Sequence, residues 1–407
     1  MMPDTTLLGA ELAEEPLEGR MVLNLGPQHP STHGVLRLIV ELEGERVIDV
    51  RPDVGFLHTG IEKEAEFKTY NKTITFTDRM SYLTPLNNEL AFMLAVEKLM
   101  DVEVPKRAEY IRVLLCELDR LASHLVFLGT HALELGAMSV MLYCFRERET
   151  LLDIVEMVSG ARMMASYFRV GGVAWELPDG FDAAVTDFLT EFPDRLAEYE
   201  ALLTQNPIWL ERTQGVGVID ADTALSLGLS GPPLRACGVD WDLRRDMPYS
   251  AYDEFEFDVA VEQAGDVYAR YLVRLEEMRQ SVRIAWQALE KVRETAGQPV
   301  RSSNRKVTPP PREELDTSME ALIHHFKLWT EGFKPPVGET YAAVEAARGE
   351  LGFYIVSDGS GKPYRWHMRA PSFVNLQSLA PMARGGLIAD LVAVTASLDP
   401  IMGEVDR

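Results

Sequence analysis

Cysteine is scarce in this chain: three in 407 residues, Cys116, Cys144 and Cys237, with no two spaced as CxxC. A disulfide framework is thereby excluded, and so is an iron–sulfur cluster held entirely by thiolates of this chain. The expected surroundings are a reducing cytoplasm. Basic residues are also in deficit, 40 Lys and Arg against 63 Asp and Glu, for a formal charge of -23. Nucleic acid and anionic lipid headgroups both need clustered cations, and no cluster here exceeds the local acid. Any membrane attachment is therefore expected to run through other proteins. Residues 1–20 have no positive region followed by an apolar core, so they read as an acidic, mobile arm that orders against a partner, not as a secretory signal.

Long apolar runs are nearly absent. Leu125–Phe145 approaches the length of a bilayer span, but it contains His131 and Glu134 and runs into Arg146-Glu147-Arg148-Glu149. A carboxylate at mid-span would cost about 2.5–3.5 kcal/mol, so buried protein core is the expected setting. Phosphate loops are missing as well. Gly215-Val216-Gly217 lacks a third glycine, and Gly359-Ser360-Gly361-Lys362 is followed by Pro363. There is no Gly-x-Ser-x-Gly elbow, no HExxH and no internal repeat.

What is present is an ordinary globular balance, 46% hydrophobic and 25% charged. Between Met21 and Arg51, Val35, Arg37 and Ile39 alternate with Leu36, Leu38 and Val40, and Glu43-Gly44-Glu45 turns the chain into Val47–Val50. That predicts a strand pair entered through the Gly26–Gly34 loop. Helical spacing follows: Leu86–Met100, then a long helix opened by Pro105 with Ile111, Leu114, Leu115, Leu118, Leu121, Ala122, Leu125 and Leu128 in one stripe. Further helices are predicted at Tyr143–Ser159, Phe181–Leu203 and Ala260–Arg293. Thr308-Pro309-Pro310-Pro311 breaks the pattern. After it come a helix around Ser318–Trp329, strands at Leu351–Val356 and Tyr364–Met368, and a helix at Asp390–Leu398. The predicted fold class is α+β: a buried helical bundle with small β-structures made by both ends of the chain. The expected divisions are the arm at 1–20, a β region with a functional loop at 21–60, a helical core at 61–307 and an α+β region at 308–407.

Eight histidines are available. His29 and His33 stand four apart, but in a Gly/Pro loop where that spacing sets no common face, so a metal site is not expected. Two readings of the loop remain open: a histidine bonded to the local backbone, and a titratable proton donor at a cleft. Tyr82 precedes an apolar helix, where tyrosine is ordinarily a core aromatic with a satisfied hydroxyl. Glu134 lies in an apolar stretch and calls for a partner such as histidine.

The run Asn24–Arg37, with Gly26-Pro27-Gln28-His29-Pro30-Ser31-Thr32-His33-Gly34 at its centre, closely resembles the opening of the 49 kDa (D-type) subunit of complex I, the proton-translocating NADH:quinone oxidoreductase. The resemblance continues through Gly55–Lys63, Ser123–Gly129, Phe145–Glu149, Ala370–Leu376 and Ser397–Arg407, nearly everything after residue 20. It implies a fold shared with the large subunit of nickel–iron hydrogenases. Those enzymes hold metal through Arg-x-Cys-Gly-x-Cys and Asp-Pro-Cys-x-x-Cys. Here the matching segments are Arg79–Thr84 and Asp399–Glu404, and Ser81, Thr84, Ile401 and Glu404 replace all four thiolates. A soft-metal centre is not expected there.

By resemblance, the old metal cleft becomes a quinone headgroup pocket shared with the cluster-bearing small subunit, which carries the terminal [4Fe–4S] cluster. His33 and Tyr82 are then the pair that hydrogen-bonds the headgroup and donates protons, with Glu134 as the histidine's acidic partner where relatives have Asp. Arg79 and Met164 are expected beside the partner's cluster. Met164 replaces the usual His and cannot titrate, and Thr59 stands where many relatives carry Arg. The resemblance further implies no cofactor bound by this chain alone, ubiquinone or menaquinone as substrate, and FMN and NADH elsewhere in the complex. Four partners are expected: the cluster-bearing small subunit, the companion peripheral subunit, the ferredoxin-like subunit and the membrane subunit through which quinone enters. The expected location is the cytoplasmic side of the inner membrane, with no nucleic acid bound. A non-catalytic scaffold of the same fold is the alternative.

Overall fold

The computed structural model describes residues 19–407, so the expected arm at 1–20 lies almost wholly outside the described residues. Three strands begin the fold: β1 (Arg20–Leu25), β2 (Arg37–Glu43) and β3 (Arg46–Asp53), antiparallel in the order β1-β2-β3. The predicted pair is β2–β3, turned at Gly44. β1 adds a third strand in register, with Leu23 opposite Val40. Alternation buries Leu36, Leu38, Val40 and Leu42 on one face, as a half-buried sheet requires.

The helices follow: α1 (Ile61–Phe67), α2 (Tyr70–Thr77), α3 (Pro85–Met100), α4 (Lys106–Glu134), α5 (Met138–Ser159). The apolar stripe of α4 is buried along its length, and Leu135–Ala137 turns the chain directly into α5. Leu125–Phe145 is thus two helices, and no helix among the described residues is long and apolar enough to cross a membrane. A two-residue hairpin, β4 (Phe168–Arg169) with β5 (Gly172–Val173), precedes α6 (Phe181–Leu203). Short helices α7 (Pro207–Thr213), α8 (Ala221–Ser226), α9 (Pro232–Arg235) and α10 (Leu243–Asp246) lead to α11 (Val267–Glu294). Helix α11 starts later than Ala260 because Asp266 caps it, accepting from Ala269 N–H at 2.7 Å.

The last part holds α12 (Met319–Thr330), a second sheet β6 (Gly338–Ala346), β7 (Gly349–Ser357) and β8 (Arg365–Arg369), and helices α13 (Pro371–Asn375), α14 (Leu379–Ala383), α15 (Ile388–Leu398) and α16 (Met402–Asp406). Strand β6 was not predicted, and Tyr364 stands just before β8. One core joins α3–α6 and α11 to the faces of β6–β8, where Phe92, Phe353 and Trp366 meet. A second joins β2 and β3 to α14, α15 and α16. The first sheet and the last helices therefore share one core, and this brings residues near 33 and near 400 together.

Candidate functional site

The Gly26–Leu36 loop is closed by its own hydrogen bonds. His29 Nδ1 accepts from Ser31 N–H at 3.2 Å, Thr32 Oγ1 donates to the His29 carbonyl at 2.9 Å, and Gln28 N–H donates to Gly34 O at 2.8 Å. His29 is thus the locally bonded histidine. Gly26 permits the closure: a Cβ there would lie 2.2 Å from the Leu36 carbonyl, at a φ of +79°. His33 ends the turn in the left-handed region, φ 50°, and its Nε2 is buried with no hydrogen-bond partner. Helix α15 packs against this turn.

Tyr82 sits in the turn between α2 and α3. That turn is pinned from α3 by Asn88, whose amide donates to Thr77 O at 2.8 Å and Ser81 O at 3.1 Å. On its other side runs the C-terminal segment. A Cβ at Gly403 would lie 2.4 Å from Met80 O and 3.1 Å from Tyr82 Cδ1. The two segments matched to hydrogenase metal motifs therefore touch. Ser81 Oγ and Thr84 Oγ1 are 2.8 Å apart, and Glu404, buried, accepts from Ser372 N–H at 2.9 Å and is also bonded by Ser81. Two hydroxyls, the buried apolar side chain of Ile401 and a hydrogen-bonded carboxyl fill the four thiolate positions. Among the described residues no group of three His, Cys, Asp or Glu is placed to hold a metal ion.

Two further residues complete the cleft. Arg348, in the turn between β6 and β7, and Asp399, the left-handed C-cap of α15, form a buried ion pair at 2.9 Å. Both act on His33 and on Tyr82. Burial lowers the His33 pKa, Asp399 opposes that and Arg348 adds to it. Burial raises the Tyr82 pKa, Arg348 opposes that, and Asp399 and Glu404 add to it. His33 and Tyr82, remote in sequence, thus share one charged wall. Arg348 was missed by sequence reading because a lone Arg in a hairpin turn carries no local signal. Asp399 was visible as part of the terminal Asp-Pro motif but not as a neighbour of the histidine.

Glu134, the last residue of α4, is not hydrogen-bonded to His33. Its Oε2 is buried without a partner, and burial pushes its pKa up to about 8. The carboxylate that acts on His33 is Asp399. One turn before Glu134, His131 packs between Phe127 and Trp209 with tilted rings, centroids 5.3 and 5.0 Å away, and neither ring nitrogen is bonded. Burial, then Arg274, Arg270 and His33, bring its pKa down to about 3, so it stays neutral. Arg79 is exposed and turns back along α2 to donate to Thr75 O at 2.5 Å. Met164 is half-buried with a φ of 58°. Thr59 lies on an exposed loop whose backbone is held by Asp406, through Gly55 N–H at 2.8 Å and Leu57 N–H at 2.6 Å.

In the cleft, His33 Nε2 and Arg348 Nη1 are buried without a hydrogen-bond partner, beside the Arg348 Nη2–Asp399 Oδ2 ion pair. Orphaned donors and acceptors in one place mark a site that a polar ligand completes. Comparison with known proteins agrees in family. The family described as respiratory-chain NADH dehydrogenase, 49 Kd subunit, matches residues 134–407. The chain is 66% identical to a D-type subunit of NADH-quinone oxidoreductase from Roseiflexus sp. (strain RS-1), across 95% of this chain and 93% of that one. It is 62% identical to a D-type subunit of the same oxidoreductase from Chloroflexus aurantiacus, across 100% and 99%. With the D-type subunit of Geotalea uraniireducens it shares 56% identity, across 95% and 98%.

Proposed function

Because the chain belongs to the 49 kDa, or D-type, subunit family of NADH-quinone oxidoreductase, we propose that it forms the wall of the site where that enzyme reduces quinone. The observation that carries this reading is the pair of unpartnered buried nitrogens on His33 and Arg348, beside the Arg348–Asp399 ion pair and Tyr82. A quinone headgroup has two carbonyl oxygens that accept hydrogen bonds and, on reduction, take two protons. An imidazole and a phenol are suitable donors within one cleft. Arg348 adds a fixed positive charge where negative charge develops on a quinone oxygen.

Electrons would come from the [4Fe–4S] cluster of the small partner subunit. His33 and Tyr82 hold and release the protons, and Asp399 keeps the His33 imidazole basic enough to recharge. Glu134, neutral up to about pH 8, is a proton reservoir at the end of α4 rather than a direct partner of His33. Arg79 and Met164 would face the cluster-bearing small subunit. We assign the chain to the cytoplasmic side of the membrane, held there through the small, companion peripheral, ferredoxin-like and membrane subunits. Proton translocation is carried out by the membrane arm, and the chain has no activity by itself.

The test is Tyr82→Phe, which removes one hydroxyl. In membranes, NADH oxidation with quinone should fall at least about tenfold, below the 10²–10⁴ a general acid can contribute. NADH oxidation with ferricyanide, which takes electrons upstream, should persist. Retention of both rates would make Tyr82 a bystander and favour a scaffold without quinone.

A further inference from the structure

Asp78 and Glu89 are completely buried, and the chemistry above makes no use of them. Asp78 caps the end of α2, and Glu89 lies early in α3 beside Asn88. One oxygen of each is accounted for. Ser166 Oγ–H donates to Asp78 Oδ2 at 2.6 Å, and Phe168 N–H donates to Glu89 Oε2 at 2.6 Å. The other two, Asp78 Oδ1 and Glu89 Oε1, are buried and receive no hydrogen bond from any donor among the described residues. The two carboxyl groups lie close enough to act on each other. Ionised carboxylates only accept, so that contact requires a proton between them. Two buried carboxylates in contact do not both ionise.

The surrounding charges do not remove this need. Arg79 follows Asp78 in its own turn, Arg169 reaches both acids from β4, and the Cys116 thiol faces Glu89 from α4. Neither acid has an ion-pair partner within 4.0 Å among the described residues, and Arg169 Nη1 donates to the carbonyls of Ser166 and Phe168. Burial first, then Asp78, pushes the Glu89 carboxyl well above its usual range. The segment these acids hold is strained: Met164 and Ser166 have φ of 58° and 43°. Such residues persist only where surrounding bonds over-determine them.

We propose that Asp78 and Glu89 share one proton, and that this proton fastens Ser166 and Phe168 to the base of the Arg79–Tyr82 turn. The same turn of α3 then holds two things at once: the Tyr82 segment through Asn88, and the Met164–Phe168 segment through Glu89. The two acids are positioning residues for quinone reduction, a role that rests on the quinone-site reading above. Loss of the shared proton sets two carboxylates against each other and frees the segment.

The test uses the assembled complex in membranes, with Glu89→Gln, Asp78→Asn and Glu89→Ala. Glutamine at 89 can accept from Phe168 N–H and donate its amide to Asp78, so it copies the protonated state without titrating. Asparagine at 78 does the same in reverse. Hydrogen exchange of amides 164–168 is followed against pH and corrected for intrinsic exchange. In the wild type, protection should fall about tenfold per pH unit from the ordinary carboxyl range up to the pair's own pKa and level off above it, the slope of one linked proton. In Glu89→Gln and Asp78→Asn it should be flat, and in Glu89→Ala low throughout. Loss of protection in both amide variants, or retention of the wild-type pH course, overturns the shared proton. The exchange is read without turnover, so it decides this point whatever Tyr82→Phe shows. Quinone reduction, normalised to ferricyanide reduction, should lose its corresponding alkaline decline in the amide variants. An unchanged decline overturns the positioning role.

Discussion

Arg348 Nη2 and Asp399 Oδ2 approach to 2.9 Å in the core of the protein, yet neither atom completes a hydrogen bond. A second link, Arg348 Nε–H to the Asp399 carbonyl at 3.0 Å, fixes the guanidinium to the end of α15. The pair is held by charge and keeps bonding capacity open toward His33 and Tyr82. Removing one member leaves a buried charge unpaired, which costs about 3–5 kcal/mol. Arg348→Met should therefore weaken assembly, seen as loss of both quinone and ferricyanide rates.

Asp399→Asn separates electrostatics from assembly more finely. The carboxylate raises the His33 pKa against burial, so its removal lowers that pKa further. Less imidazolium is then available at a given pH. Normalised to ferricyanide reduction, which falls with any loss of assembly, quinone reduction should fall at neutral pH and its pH profile should move toward acid. A profile that stays in place would detach Asp399 from His33.

Gly403→Ala tests how closely the Tyr82 turn is packed. The added methyl would meet Met80 O at 2.4 Å and Tyr82 Cδ1 at 3.1 Å, so the turn must move. Displacement of a reacting group by about 1 Å can cost 10²-fold in rate. A large loss of quinone reduction with preserved ferricyanide reduction is expected.

Glu134→Gln removes a carboxyl whose pKa rises from 4.5 to about 8 on burial. A raised carboxyl pKa contributes stability that is full below the unfolded value and lost as pH rises to the folded one. Thermal inactivation of the complex should show the variant gaining on the wild type from about pH 4.5 to pH 8, with no further gain above that. A gap that is constant with pH would place Glu134 in water.

Met164→His adds a titratable group where the chain has none. In the native protein the partner cluster's reduction potential should depend only weakly on pH, and in the variant a slope near neutral pH should appear. Redox titration between about pH 6 and 8 reads both, bracketing the ordinary imidazole pKa. A full slope in the native protein would show that some other group titrates beside the cluster.

Much of the architecture was legible. The stripe on α4 and the alternation in β2 stood out because burial on one face imposes a period. Strand β6 did not, since Gly-Glu-Thr-Tyr-Ala-Ala-Val-Glu-Ala is poor in β-formers and is held by its full-length pairing with β7. His33 and Tyr82 were found by motif, and the structure gives them shared charged neighbours. Their wall was hidden because Arg348 and Asp399 reach them through tertiary packing. The expected bond from Glu134 to His33 is absent, since the end of α4 leaves that carboxyl without any partner.

The seating of the His33 loop on α15 also sets an order in time. The loop emerges from the ribosome well before α15 with Asp399, against which it is set, because the helical core and the second sheet lie between them. A nascent chain therefore carries an unfinished pocket, with its histidine exposed, while everything between the loop and α15 is made. At roughly 5–20 residues per second, that interval lasts tens of seconds. Any protein that receives this chain before release receives it without a working cleft.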